Sequence, residues 1–227
     1  MSAHPVPVPE QRLPLSRERV LRTAVAIADE HGIDAVTMRR VGDELGAEAM
    51  SLYHHVANKD ALLDGAVDLD VREINEAVDR LDTGGDWQVV VRNRILAARA
   101  VLLRHRWAPR LLSGRAATSP EVVRYHDRLV GLLRAGGFSH DLAHHTLHAL
   151  GSRAMGFSQE LFDPGDGASS AALPAELAAD LPSLVAMLSE VAHDDPGSTL
   201  GWCDDQTEFE FGLDLLLDGL ERRRSGS

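Results

Sequence analysis

Cysteine is nearly absent. Cys203 is the only one among 227 residues, and a single thiol closes no internal disulfide, which excludes a disulfide-built scaffold. Aromatic residues make up 4% of the chain and no sustained alternation of β-branched residues occurs, so nothing in the pattern points to a sheet. No apolar run approaches the roughly 18 residues that a membrane span needs. The opening MSAHPVPVPEQRLPLS lacks a basic n-region and an apolar h-region, so residues 1–14 read as a flexible proline-rich arm rather than a signal peptide. The expected compartment is the cytoplasm. Lysine is almost missing too, since 22 of the 23 basic residues are Arg and only Lys59 is Lys. What is present is a 44% hydrophobic content, which excludes disorder, in a length that suits one large or two modest domains.

The formal charge of −12 weighs against a polyanionic partner. Its placement changes that reading. Residues 1–153 carry 20 Arg+Lys and 20 Asp+Glu, whereas 154–221 carry no basic residue and 15 acidic ones before Arg222, Arg223 and Arg224. The first two thirds are therefore neutral, and all the excess acid lies in the last third.

The periodicity is helical almost throughout. Ser16 caps a first helix with Val20, Leu21, Ala24, Val25 and Ala28 on one face, ended near Gly32. Thr37 caps a short helix that Gly46 stops, and a third short helix is expected over 47–56. Asn58 starts a longer one to Leu81. Thr83-Gly84-Gly85 breaks the pattern, and Asp86 caps a helix to about His105. Pro109 opens a helical turn, Ser119-Pro120 starts a helix ending at Gly136-Gly137, and Ser139 caps one to about Leu161. Loops are expected over 163–170 and 194–199, with a helix over 174–193 between them and a last one over 205–222. The expected class is all-α.

Residues 36–64, VTMRRVGDELGAEAMSLYHHVANKDALLD, carry the most information. Two short helices around a glycine turn, with Val41, Leu45, Leu52 and Val56 facing a shared core, form a helix-turn-helix whose second helix can enter a major groove. The TMRR start, the LG turn, SLYHHV and NKDALL, in this order and spacing, resemble the tetracycline-repressor (TetR) family over about residues 15–67. That resemblance implies an N-terminal three-helix DNA-binding domain, 15–67, joined by a long helix to an all-helical ligand-binding and dimerisation domain, 68–224. It also implies a role for each matching residue. Arg39 would reach a base or phosphate, and Ala49, Met50 and Ser51 would meet base edges. Tyr53 and His55 would hold phosphates and Lys59 would point at the backbone, with Thr37 and His54 completing the set. Residues 16–67 hold six basic against nine acidic residues, so affinity must come from placement rather than bulk charge. Arg17, Arg19 and Arg22 either share that face or simply solvate the first helix.

VLLRHRWAPRLL and LLRAGGFSHDLAHHTLHALGSRAMGFSQE resemble the ligand and dimer domain of the tetracycline-repressor branch. The resemblance implies a homodimer through helices 139–161 and 205–222, a palindromic double-stranded operator, and release by a small-molecule effector whose binding swings the fourth helix. Two histidines fall on apolar helical stripes, His126 near Leu129 and His144 near Leu147. With Arg94, Ala98 and Leu112 they make a candidate pocket. The positions that hold tetracycline in the namesake proteins fall on Asn75, Ala98 and Leu112, so the metal-chelating histidine is missing and neither metal nor cofactor is expected. Two rival readings compete with this one. His140 and His144 have the H-x-x-x-H spacing of a helical metalloenzyme, with Asp141 in place of the usual glutamate. A helical interaction protein that does not bind DNA is the other.

Overall fold

The computed structural model describes residues 14–114, 119–155, 180–183, 185–186 and 205–226. The arm up to residue 13, the loops over 163–170 and 194–199, residues 156–161 of the expected eighth helix and most of the helix expected over 174–193 lie outside the described residues. Among the described residues there is no strand, and nine α-helices have defined bounds: α1 Arg17–His31, α2 Met38–Leu45, α3 Ala49–Leu52, α4 Lys59–Asp79, α5 Trp87–Arg104, α6 Ala108–Gly114, α7 Pro120–Ala135, α8 His140–Met155 and α9 Asp205–Ser225. None of these is long and apolar enough to cross a membrane.

Side-chain oxygens set the helix starts by accepting from amides that the first turn leaves unpaired. Ser16 accepts from Arg19, Thr37 from Arg40, Asn58 from Ala61, Asp86 from Gln88, Ser119 from Val122 and Ser139 from Leu142. Positive-φ glycines set two of the stops, Gly32 after α1 and Gly46 after α2.

Packing divides the chain into two units, residues 1–77 with 100–123 and residues 78–99 with 124–227. This differs from a division at 67/68. The first unit keeps most of α4 and also takes in residues 100–123, because its core needs them. Val20, Leu21, Ala24 and Ile27 of α1, Val41, Leu52 and Val56 of the short helices and their turn, and Leu62, Ala66 and Val67 of α4 pack with Trp107 and Ala108. Each of the Val, Leu and Ile side chains, fully withdrawn from water, contributes about 1.5–3 kcal/mol.

The second unit has its own core. Trp87, Val91 and Ile95 of α5, Leu129 and Leu133 of α7, Phe138, Ala143 and Leu150, and Phe209, Leu213, Leu217 and Leu220 of α9 form one cluster. Trp87 and Phe138 meet edge to face with centroids 4.6 Å apart. The Gly136-Gly137 turn makes this possible, since a Cβ on Gly136 would lie 2.8 Å from Trp87 Cβ. Polar bonds fasten the rim: Trp87 Nε1 donates to Glu221 at 2.7 Å, and Arg92 binds Asp214 at 2.7 Å and Glu210 at 2.6 Å. Arg224, then Ser225 and Trp87, hold the Glu221 carboxyl down at about 2. Part of the acid-only last third is thus paired with arginines from the neutral part of the chain.

Candidate functional site

The helix-turn-helix is built by a close approach of backbones. Gly46 takes the left-handed conformation, φ 62° and ψ 34°, and the Ala47 amide donates back to Gly42 O at 2.9 Å. Gly42 is buried in this turn, where a Cβ would lie 2.8 Å from Ala47 O and 3.2 Å from Ala49 N. Neither atom belongs to a flexible side chain, so only glycine fits. The sequence reading attended to Gly46 and missed Gly42, although a glycine inside a helix is itself a signal of close approach.

α3 is shorter than expected. Regular helix covers only Ala49–Leu52, and turns continue it through His55, with the His55 amide on Leu52 O at 2.8 Å and the Val56 amide on the same oxygen at 3.0 Å. Leu52 and Val56 anchor the segment in the core, which turns the opposite side outward. Met50 is 71% exposed and Tyr53 46% exposed, large apolar surface that a monomeric fold has no reason to display. His54 and Lys59 are exposed as well, Ala49, Ser51 and His55 are half-buried, and Lys59 is the first residue of α4 behind the Asn58 cap. Arg39 is almost wholly exposed, with only a long 3.9 Å approach to Asp43. Thr37 is exposed, and its hydroxyl oxygen is the α2 cap. Two further arginines are occupied locally: Arg22 pairs with Glu18 at 2.6 Å and Arg19 donates to Pro14 O at 2.8 Å. Both of these local partners lie on or just before α1.

The first unit also holds a buried ionic cluster that the sequence reading missed. His105 contacts Asp29 through Nδ1 at 2.8 Å and Glu73 through Nε2 at 3.3 Å, and Nε2 lies 3.8 Å from Asp70. Trp107 Nε1 donates to Asp29 at 2.7 Å, and Arg104 binds Glu73. Burial pushes the Asp70 carboxyl up to about 7 against the pull of His105, and Asp70 Oδ2 has no hydrogen-bond partner among the described residues. Burial works against a charge on His105, but the hydrogen bond it donates to Asp29 and the charges of Asp70 and Asp29 outweigh it and raise the imidazole. No local spacing reveals the cluster, because it joins α1, α4 and the end of α5.

The expected pocket residues have different fates. Asn75 and Leu112 belong to the first unit, where Asn75 Nδ2 donates to the Glu121 backbone and carboxylate, both at 3.0 Å. In the second unit, Leu129 is core, Leu147 packs against that core and Ala98 is buried. His126 and His144 are exposed, which corrects the expectation of partly buried imidazoles. Apolar neighbours one turn away did not bury them, because the inward direction of each helix falls on Leu129 and Leu133 or on Ala143, Thr146 and Leu150. Partial desolvation still holds His126 below its usual value. His144 stacks edge-on against His148 at 4.7 Å. His140 is exposed too, and among the described residues no group of three His, Cys, Asp or Glu side chains gathers to hold a metal. A cavity of about 290 Å³ lies elsewhere in this unit, lined by Thr83, Asp86, Trp87, Val90, Leu132 and Gly136 among others.

Arg94 stands out. It is 4% exposed, its guanidinium carbon lies 4.9 Å from the Tyr125 ring centroid, and its Nε and Nη2 have no hydrogen-bond partner among the described residues. Burial lowers its pKa and raises that of Tyr125. A cation–π contact returns about 0.5–2 kcal/mol and the Asp79 charge also favours the cation, whereas burying an ion costs several kcal/mol.

Two family models match this chain, "Bacterial regulatory proteins, tetR family" over residues 20–66 and "Tetracyclin repressor-like, C-terminal domain" over 81–224. The chain belongs to the TetR family. It is 30% identical to the tetracycline repressor protein class D of Escherichia coli over 213 residues, 91% of this chain and 89% of that one. An HTH-type transcriptional regulator of Saccharopolyspora erythraea is 33% identical over 124 residues, 55% of this chain and about half, 51%, of its relative. Among solved structures, a possible TetR family transcriptional regulator from Streptomyces coelicolor A3(2) superposes with a TM-score of 0.73 at 32% identity, covering 91% of this chain and 99% of that chain. The Streptomyces coelicolor TetR family protein ActR in complex with actinorhodin superposes at 0.69 with 26% identity, over 93% and 99%. This TetR-family protein is accordingly a ligand-responsive DNA-binding transcriptional regulator and not an enzyme, and the metalloenzyme reading of His140 and His144 is set aside.

Proposed function

We propose that the protein is a cytoplasmic repressor that binds a palindromic operator as a homodimer and leaves it when a small molecule binds its second unit. The observation that carries the DNA half is the outward display of Met50 and Tyr53 on a segment pinned by Leu52 and Val56. In this reading Ala49, Met50 and Ser51 face base edges, and because Ala49 and Met50 offer only apolar contact, thymine methyls are their natural targets. Arg39 reads or positions. Tyr53, His54, His55, Thr37 and Lys59 meet the phosphate backbone. Reading is confined to residues 15–67, and 68–224 supply effector binding and dimerisation.

The homodimer rests on α9. Its inward face is Phe209, Leu213, Leu217 and Leu220, and the other side leaves Phe211 63% and Leu215 56% exposed. A helix with apolar residues on two sides buries one against its own unit and the other against a partner copy. We assign the exposed His144 of α8, which packs on α9, to the same face. Effector binding belongs to the α5 and α7 region around Arg94, Ala98, His126 and Leu129. Tetracycline repressors and the actinorhodin complex among the relatives support a polycyclic-sized ligand. Any such ligand changes DNA affinity only through its differential affinity for the two forms.

Footprinting of the full-length protein on the DNA upstream of its own gene tests this reading. Two protected half-sites about 34–36 Å apart are expected. A failure to retard that DNA at moderate salt sinks it.

A further inference from the structure

We infer that the effector carries a two-oxygen anion, a carboxylate or its equivalent, on an aromatic body, and that Arg94 is the residue that receives it. The inference rests on the effector reading above. It is carried by the contrast among three arginines of α5 in the second unit. Arg92 meets the carboxylates of Glu210 and Asp214. Arg99, 6% exposed, donates from Nε to Gln206 at 3.0 Å and lies 4.4 Å over the Phe209 ring. Arg94 is as buried as Arg99, yet Nε and Nη2 are left without an acceptor among the described residues.

The two open groups define the ligand's shape. Nε–H and Nη2–H lie on one edge of the planar guanidinium and point the same way, the fork that accepts both oxygens of a carboxylate at once. A neutral carbonyl fills one prong and leaves the other unpaired. Asp79 at the end of α4, whose charge acts on Arg94, does not fill the fork: Nε and Nη2 stay without an acceptor among the described residues while Asp79 is bound by Arg128. Beside the fork lies the Tyr125 face, with buried Ala98 one turn along α5 and buried Leu129 one turn along α7, and the charges of Asp79 and Arg128 act on the guanidinium from outside hydrogen-bonding contact with Nε and Nη2. A flat aromatic ring bearing the acid matches that combination of a cationic edge and an apolar wall.

The test uses the full-length protein with three matched pairs of probes of increasing ring number: benzoate, 2-naphthoate and anthraquinone-2-carboxylate, each against its carboxamide. Thermal melting and release from operator DNA are both read. At least one carboxylate should raise Tm and release DNA at a concentration tenfold or more below its amide. R94M should lose that response while melting no lower than the wild type without probe, since it removes a buried charge whose Nε and Nη2 have no acceptor among the described residues. The inference is overturned if no carboxylate acts, if acid and amide act equally, or if R94M still responds. It is equally overturned if R94M melts many degrees lower, which would make Arg94 a structural cation. Operator retardation by the probe-free wild type is scored separately. Its loss defeats the regulator reading, whereas intact retardation without any preference for the acids defeats only the effector chemistry.

Discussion

The residues proposed to read DNA, in the first unit, and the residue proposed to receive the effector, in the second, lie on opposite sides of the same physical rule. In the first, Met50, Tyr53, Arg39 and Lys59 face water, and their position is held by backbone: a left-handed Gly46, a Gly42 with no room for Cβ, and two buried anchors. In the second, Arg94 is withdrawn from water, and its position is held by packing across α5 and α7. An exposed reader can be specified by a dozen consecutive residues. A buried receptor has to be assembled from helices tens of residues apart, so its chemistry is free to change while the fold stays the same.

The sharpest way to break this contrast is at the dimer face. F211E with L215E puts two carboxylates on the exposed side of α9 without touching the inward Phe209, Leu213 and Leu217. The expected product is a folded monomer by light scattering with operator affinity reduced at least a hundredfold. A dimer in this variant moves the interface elsewhere. G42V comes next, since its Cβ meets two backbone atoms. A loss of about 1–3 kcal/mol of stability from overpacking and loss of operator binding are expected, with the effector-dependent signal of the second unit retained. K59A follows. It should weaken DNA binding across all sequences and lower the salt slope by about 1, with an unchanged dimer; Y53F should weaken binding without altering that slope. An unchanged K59A salt slope removes Lys59 from the interface.

The buried cluster gives a smaller effect of defined sign. Both Asp70 and His105 are raised in the folded state, so each contributes stability that is greatest at low pH and fades as pH climbs through the folded value. For Asp70, the loss runs from its ordinary carboxylate range up to about 7. The Tm should therefore fall between about pH 4 and 7, and D70N should flatten that fall. A D70N profile parallel to the wild type rules out Asp70 as its source. The smallest effect belongs to His126 and His144, whose double alanine variant should change stability by about 0.5 kcal/mol or less.

The parts legible in sequence are those written in neighbouring residues. Ser16, Thr37, Asn58, Asp86, Ser119 and Ser139 announced six helix starts, and each accepts the amide that such a cap should. The helix-turn-helix face followed from residues 36–64 for the same reason. The length of α3 did not, because a segment pinned by Leu52 and Val56 needs only turns beyond Leu52. The histidine stripes misled because helical spacing says which residues share a face without saying how far burial extends across it. His126 sits beside Leu129 in the pattern and outside the core in space. Asp29, Asp70, Glu73 and His105 were invisible singly, since each reads as an ordinary surface charge until three helices bring them together.

Core membership also sets an order of assembly during synthesis. The DNA-reading unit is complete once Trp107, Ala108 and the residues to 123 have left the ribosome. The second unit waits for Phe209, Leu213, Leu217 and Leu220, which follow much later in the chain, and for the Glu221 that clasps Trp87. During the interval the nascent chain carries a finished reading head and an open apolar half, which makes the last helix the point where translation, folding and pairing converge.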